Sequence, residues 1–323
     1  MNTVKLSFFG LILTAAISSF ASAQPTDPAW PRSEWHRDME YNPDHNNNRG
    51  GFTRNGWISS GTILPHQYNI VTGPYPVRYG THSERFEIRP TDDNAMRDLG
   101  VTVGNRSELT QRPSRDNLRI GEDAWFGWSF YHENLPSGLA HDHGWNPMLG
   151  QWKTDLDAPP IIQFTPVYDG RTEGTHIGIN LTDLEVSRGR EWSRANQFGY
   201  VCTLFSIRQS RNRWTDIVVN TNFADNENGY LRVWINGQLQ CDYRGQIVVT
   251  PVDRFSSYGV RNQGPLFKRG YWSGHLGPDR WRNNYPKVPI PTFVVYYDEW
   301  RQGRSREEVD VRMIEARGGP AID

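Results

Sequence analysis

The chain has almost no helical periodicity, no excess of charge and no long apolar run beyond its first residues. Its 35 basic and 36 acidic side chains leave a net charge of −1. That balance excludes the basic stripe a nucleic-acid partner would need, and there is no acidic tail. No segment after the N-terminal one approaches the roughly 18 continuous apolar residues of a membrane span, so no membrane partner is expected. There are only two cysteines, Cys202 and Cys241. Their spacing fits neither a zinc ribbon nor a haem attachment site. Internal repeats and low-complexity tracts are also missing.

What is present begins with a leader. Lys5 supplies a positive start, Leu6 to Phe20 an apolar run, and Ala21-Ser22-Ala23 a small-residue cleavage site before Gln24. Residues 1–23 thus read as a secretory signal peptide, and residues 24–323 as a single secreted or periplasmic domain. In an oxidising compartment two thiols favour a disulfide, although sequence alone does not establish that they meet. The chain carries 13 Trp, 14 Tyr and 14 Phe. Such rings suit a sugar-stacking surface and a thick β-sandwich core equally well.

From Gly80 onward, short alternating runs are separated by Gly- and Pro-rich turns. Examples are Glu84-Arg-Phe-Glu-Ile-Arg89, Ala124-Trp-Phe-Gly-Trp-Ser-Phe-Tyr131 and Thr175-His-Ile-Gly-Ile-Asn-Leu181. Period-2 alternation is the mark of half-buried strands. Asn236-Gly237 between two such runs predicts a tight hairpin. Residues 92–99 and 305–310 are the only stretches expected to form a helical turn or two. Many short strands with these turns predict an all-β fold, a two-sheet antiparallel jelly roll with a concave groove.

Several strands carry polar side chains in register with that alternation. Arg106 and Glu108, two apart, share one strand face, so the carboxylate can fix the guanidinium fork for gripping an anion. Alone, such a pair reads as an ordinary ion pair on a solvated face. Its company gives it weight: His82 with Arg85, Glu87 and Arg89; Gln151 and Lys153 on one face opposite Trp152; Gln163 and His176; and Lys268, Arg269, Tyr271 and Trp272, followed by His275. Each has a bland alternative as a solvated or packed side chain. Together they are what a sheet needs to hold an anionic polysaccharide.

The order of these motifs resembles the jelly-roll polysaccharide lyases, above all the glucuronan-lyase and heparin-lyase-I-like group, and more loosely the jelly-roll alginate lyases. The similarity runs through His82-Ser-Glu-Arg-Phe-Glu-Ile-Arg89, Arg106-Ser-Glu-Leu109, Leu149-Gly-Gln-Trp-Lys153, Phe267-Lys-Arg-Gly-Tyr271 and Val294-Val-Tyr-Tyr-Asp298. It spans roughly residues 80–300, and its specificity lies in the order of the motifs. Two departures stand out. Where such lyases have Lys-x-Gly-x-Tyr, this spacing from Lys268 lands on Trp272, with the tyrosine one place early at Tyr271. Where they often have Gln-x-His, this chain has Gln151-x-Lys153.

The resemblance implies cleavage of a uronic-acid polymer such as glucuronan, alginate or a heparin-like chain by β-elimination. Tyr271, His82 and Lys268 are the expected catalytic residues. Arg106, Glu108, Gln151, Lys153, Gln163, His176, Arg269 and Trp272 are expected to bind substrate. A one-residue slip on a regular strand reverses a side chain. So either a bulge returns Tyr271 to the cleft, or His82, His176 or Tyr258 does the chemistry, or the protein binds without cleaving. A non-catalytic carbohydrate-binding module is the alternative. A glycoside hydrolase ranks lower, because Asp298-Glu299 is the nearest acidic pair and adjacent strand residues face opposite ways. No cofactor is expected. Ca²⁺ is conceivable at the loop acids Asp92-Asp93, Asp155/Asp157 or Asp225/Glu227, but no site is assigned. A monomer is expected, with the anionic polysaccharide as its partner.

Overall fold

The computed structural model describes residues 53–54, 57–60, 66–90, 92, 105–111, 118–138, 147–153, 160–169, 171–181, 199–248, 265–273 and 292–323. Two sheets stack face to face, with strands numbered in chain order. The larger runs β1 (Thr53–Arg54), β2 (Trp57–Ser60), β5 (Asn105–Gln111), β14 (Leu266–Ser273), β7 (Gly150–Lys153), β8 (Ile162–Pro166), β9 (His176–Asn180) and β10 (Tyr200–Ser206). The smaller runs β13 (Gln238–Arg244), β12 (Tyr230–Ile235), β11 (Thr215–Thr221), β6 (Ala124–His132), β15 (Phe293–Gly303), β4 (Ser83–Ile88) and β3 (Tyr68–Val71). Every strand pairing among the described residues is antiparallel. The expected two-sheet jelly roll is the fold.

Alternation builds the core. In β6, Phe126, Trp128, Phe130 and His132 turn inward and are buried. Phe126 and Trp128 meet Trp152, Phe164 and Phe267 from the larger sheet, with ring centroids about 5–6 Å apart. Trp300 stacks flat on Phe267 at 4.2 Å. Among the described residues, most aromatic side chains therefore pack between the sheets, where each ring buries a large apolar area. The hairpin forms as expected: Asn236 and Gly237 take φ of 50° and 84°, the pair of left-handed residues a two-residue turn requires.

Three short helices join the strands: α1 (Ile207–Ser210), α2 (Arg306–Val309) and α3 (Val311–Ala316). The first two are single turns. The turn expected at 305–310 is α2, whereas α3 had no expectation, because its few apolar residues carry too short a period to register. The signal-peptide residues 1–23 and most of 92–99 lie outside the described residues. No helix among the described residues is long and apolar enough to cross a membrane.

The two cysteines are bonded, with their Cα atoms 5.6 Å apart. The bridge joins β10, the last strand of the larger sheet, to β13, the last strand of the smaller one. It closes a separation of 39 residues, which removes freedom from the unfolded chain. Replacing both cysteines by serine is expected to cost about 2–4 kcal/mol. A denaturant titration of the double variant against the parent checks this, and unchanged stability would show that the staple contributes nothing.

Candidate active site

Strand register decides which polar residues meet. Across the larger sheet, Thr110 of β5 pairs with Lys268 of β14, Lys268 with Gln151 of β7, Gln151 with Gln163 of β8, and Gln163 with Asn180 of β9. These five lie in one row on the outer face, because their neighbours Leu109, Phe267, Trp152, Ile162 and Ile179 point into the core. At about 4.8 Å per strand, the row spans roughly 19 Å. All five residues are buried. Among the described residues, Thr110 Oγ1, Gln163 Nε2 and Asn180 Oδ1 find no hydrogen-bond partner. Leaving such a group unpaired costs about 1–3 kcal/mol, so the row is poised for a polar ligand.

Two residues further along β5, the same face carries Glu108, buried and central. Its Oε1 accepts from Gln151 Nε2 at 2.6 Å, and its Oε2 accepts from Lys268 Nζ at 3.0 Å. Arg106 Nε lies 3.3 Å from Oε2. Burial alone would lift the Glu108 carboxyl, yet Lys268 and Arg106 hold it below its ordinary value. Lys268 is lowered as well, here toward its neutral form: burial outweighs Glu108, and the nearby Arg106 and Lys153 cations add to it, bringing the ammonium down to about 7. Trp272 pairs with Arg106 across the strands, its ring 5.8 Å from the guanidinium carbon. Lys153, on the same face of β7 as Gln151, is half-buried.

The structure thus brings together Arg106, Glu108, Gln151, Lys153, Gln163, Lys268 and Trp272. Thr110 and Asn180 complete the row and were overlooked. The alternation His176-Ile-Gly-Ile-Asn180 held the signal for the second of them, since it places Asn180 on the face opposite Ile177 and Ile179.

Four expected site residues fall elsewhere. Tyr271 is not in the cleft. The β14–β5 register runs unbroken from Lys268 to Ser273, so no bulge turns it outward. It is 1% exposed and stacks on Phe293 at 5.0 Å, inside the core. Arg269 is likewise inward: its Nη2 donates to Glu84 Oε1 at 2.7 Å, and its guanidinium lies 3.6 Å from the centre of the Trp57 ring. His82 stands before β4 of the other sheet, with Nδ1 3.7 Å from Asp323. His176 shares the outer face but lies four residues along β9 from Asn180, where it lines a separate pocket. Tyr258, His275, Asp93, Asp155 and Asp157 lie outside the described residues.

Replacing Tyr271 with phenylalanine is expected to change turnover by no more than about threefold, since the hydroxyl is walled off from the outer face. A hundredfold loss in the rate assay would return the residue to the chemistry.

Among the described residues, no three His, Cys, Asp or Glu side chains gather to hold a metal. Asp92 is taken by His66 and the Arg89 amide. Asp298 accepts from the Arg78 amide, and Glu299 pairs with Arg301. That acidic pair of the smaller sheet does not join the row.

The comparisons decide the family. The polysaccharide lyase profile matches residues 31–301, most of the chain. The chain belongs to the polysaccharide lyases. No curated protein is similar to it in sequence. Among solved structures, the lyase is similar to the endo-β-1,4-glucuronan lyase of the fungus Trichoderma reesei. The two share 13% identity and a TM-score of 0.51, over 76% of this chain and 91% of the other. At that identity the likeness is one of fold. Alginate lyase A1-II′ aligns at 13% identity and a TM-score of 0.43 over 79% and 86% of the two chains. Alginate lyase AlyC3 aligns at 9% and 0.39 over 68% and 74%.

Proposed function

We propose that the lyase cuts a uronate-containing polysaccharide by β-elimination on the outer face of the larger sheet, with Lys268 as the base. One observation carries this reading: Arg106, Gln151 and Lys268 converge on the buried Glu108 carboxylate within a row of otherwise unpaired amide and hydroxyl groups. Glu108 orients the donors, and they are the groups a sugar carboxylate would meet.

The chemistry follows from charge. Removing the proton at C5 of a uronate places a second negative charge beside its carboxylate. That is tolerable only where preorganised donors meet the developing charge. Arg106, Gln151 and Lys153 supply two cations and an amide for this purpose. Lys268, with its ammonium lowered to about 7, is partly neutral near neutral pH and can accept a proton. Its lone pair takes the C5 proton, the C5 electrons form the C4–C5 double bond, and the C4–O bond breaks. The ammonium so formed returns a proton to the departing glycosidic oxygen. Trp272 offers a flat ring beside Arg106 on which a sugar face can stack. Export of the protein, led by residues 1–23, belongs to the same reading, because polymers of this kind are met outside the cell.

The test is the ultraviolet absorbance of the new double bond on glucuronan, alginate and heparin-like chains. A rise on at least one, reduced about a hundredfold or more in Arg106→Ala, supports the reading. No rise on any of them would refute it.

A further inference from the structure

A concavity lies away from the row. Its volume is about 380 Å³, within the range of small-molecule sites. It forms where β9 begins, β10 ends in α1 and β11 begins, with the tip of the β12–β13 hairpin at its rim. Leu204 and Thr215 are buried in its floor, and Trp214 offers a half-buried ring.

The walls are fixed from behind. His132 Nε2 lies 3.0 Å from Ser210 Oγ and 3.1 Å from the Ile207 carbonyl, anchoring α1 to β6. At the rim, Asn236 Oδ1 accepts from the Asp216 amide at 2.9 Å, and its own amide donates back to the Asp216 carbonyl at 2.8 Å. The hairpin tip is thereby clamped to β11.

The polar lining is biased in one direction. Among the described residues its charged or ionisable side chains are His176 and Arg213, and no Asp or Glu of these lines it. Among the described residues, the Arg213 guanidinium makes no ion pair or hydrogen bond, and neither does the Gln209 side-chain amide. The His176 ring touches Thr175 Oγ1 through Nδ1 only, which leaves Nε2 open. An exposed arginine on a convex surface is ordinarily just solvated. Here it shares a walled cavity with an indole and further open donors, the combination that holds a flat, oxygen-rich anion.

We propose that this pocket is a second binding site for a carboxylated sugar, with Arg213 gripping the carboxylate and Trp214 packing against the ring. That the carboxylate is borne by a sugar rests on the uronate reading above; that the ligand is an anion rests on the lining alone. Such a site would hold a chain end or a released fragment without taking part in its cleavage.

The experiment is calorimetric titration of the full chain with a glucuronic acid disaccharide and with its neutral glucose counterpart. Arg213→Ala is expected to weaken the acidic disaccharide about tenfold or more at one class of site. Turnover of saturating polymer should be unchanged, and the fold should be intact because Arg213 is exposed and unpaired. Arg106→Ala should do the reverse, lowering turnover and sparing that class. Unaltered binding in both Arg213→Ala and Gln209→Ala would overturn the proposal, as would equal affinity for the neutral disaccharide. If Arg106→Ala kept full turnover while Arg213→Ala lost binding, the cleavage reading would fall and the pocket would stand.

Discussion

Replacing Lys268 with arginine is expected to cut turnover by about 10²- to 10⁴-fold while leaving polymer binding largely intact. The substitution isolates one property. Arginine keeps a cation beside Glu108, so the buried carboxylate retains a partner, but its guanidinium does not release a proton in proteins. If Lys268 were only a counter-ion, Lys268→Arg would keep most of its activity. If it is the base, nothing remains to accept the C5 proton. The parent enzyme should show the matching pH profile. A base works in its neutral form, so turnover should climb as pH rises through about 7, where Lys268 loses its proton, and level off above. Steady-state rates across that range, for parent and variant, decide the matter. More than a tenth of parental activity in Lys268→Arg, or a parental rate that falls through pH 7, would remove Lys268 from the role.

The second large effect is on stability. Arg269→Met is expected to cost about 3–5 kcal/mol, because it strands the Glu84 carboxylate between the sheets, where the Tyr68 hydroxyl, 2.8 Å away, is the one side-chain donor left to it among the described residues. The melting temperature should drop by on the order of 10 °C. The same pair predicts its own rescue. Adding Glu84→Gln removes the stranded charge, and the double variant should regain most of the loss, since a buried ion pair contributes little beyond a neutral pair of similar shape. A thermal or denaturant double-mutant cycle measures this coupling directly. A loss below about 1 kcal/mol in the single variant would mean that Glu84 finds water or protonates at little cost.

These two neighbours in sequence show where reading the chain succeeds and fails. Alternation correctly set Arg106 with Glu108 and Gln151 with Lys153, because period 2 is a local property of any strand. It also delivered the sandwich, the Asn236-Gly237 hairpin and the run of β14. It could not say which face of β14 was outward. Lys268 and Arg269 are both cations, and the clue lies in Glu84, 185 residues earlier on the other sheet. The apolar neighbours Phe267 and Tyr271 share the inward face with Arg269, so the pattern was available in principle. A charged side chain among them argued against it. His82 was lost for a related reason: its partner, Asp323, sits at the far end of the chain. The disulfide was foreseen from the number of thiols, whereas the sheet edges that it joins became visible only in three dimensions.

Gly270 has φ of +120°, and a Cβ there would fall 2.2 Å from the Ser107 carbonyl oxygen, so the backbone is pinned at that point to its neighbour. Insertion of a single amino acid just upstream would put a bulky residue where none fits and would exchange the working side of the strand for its structural side. A change of length at this point of β14 would therefore disrupt the strand itself.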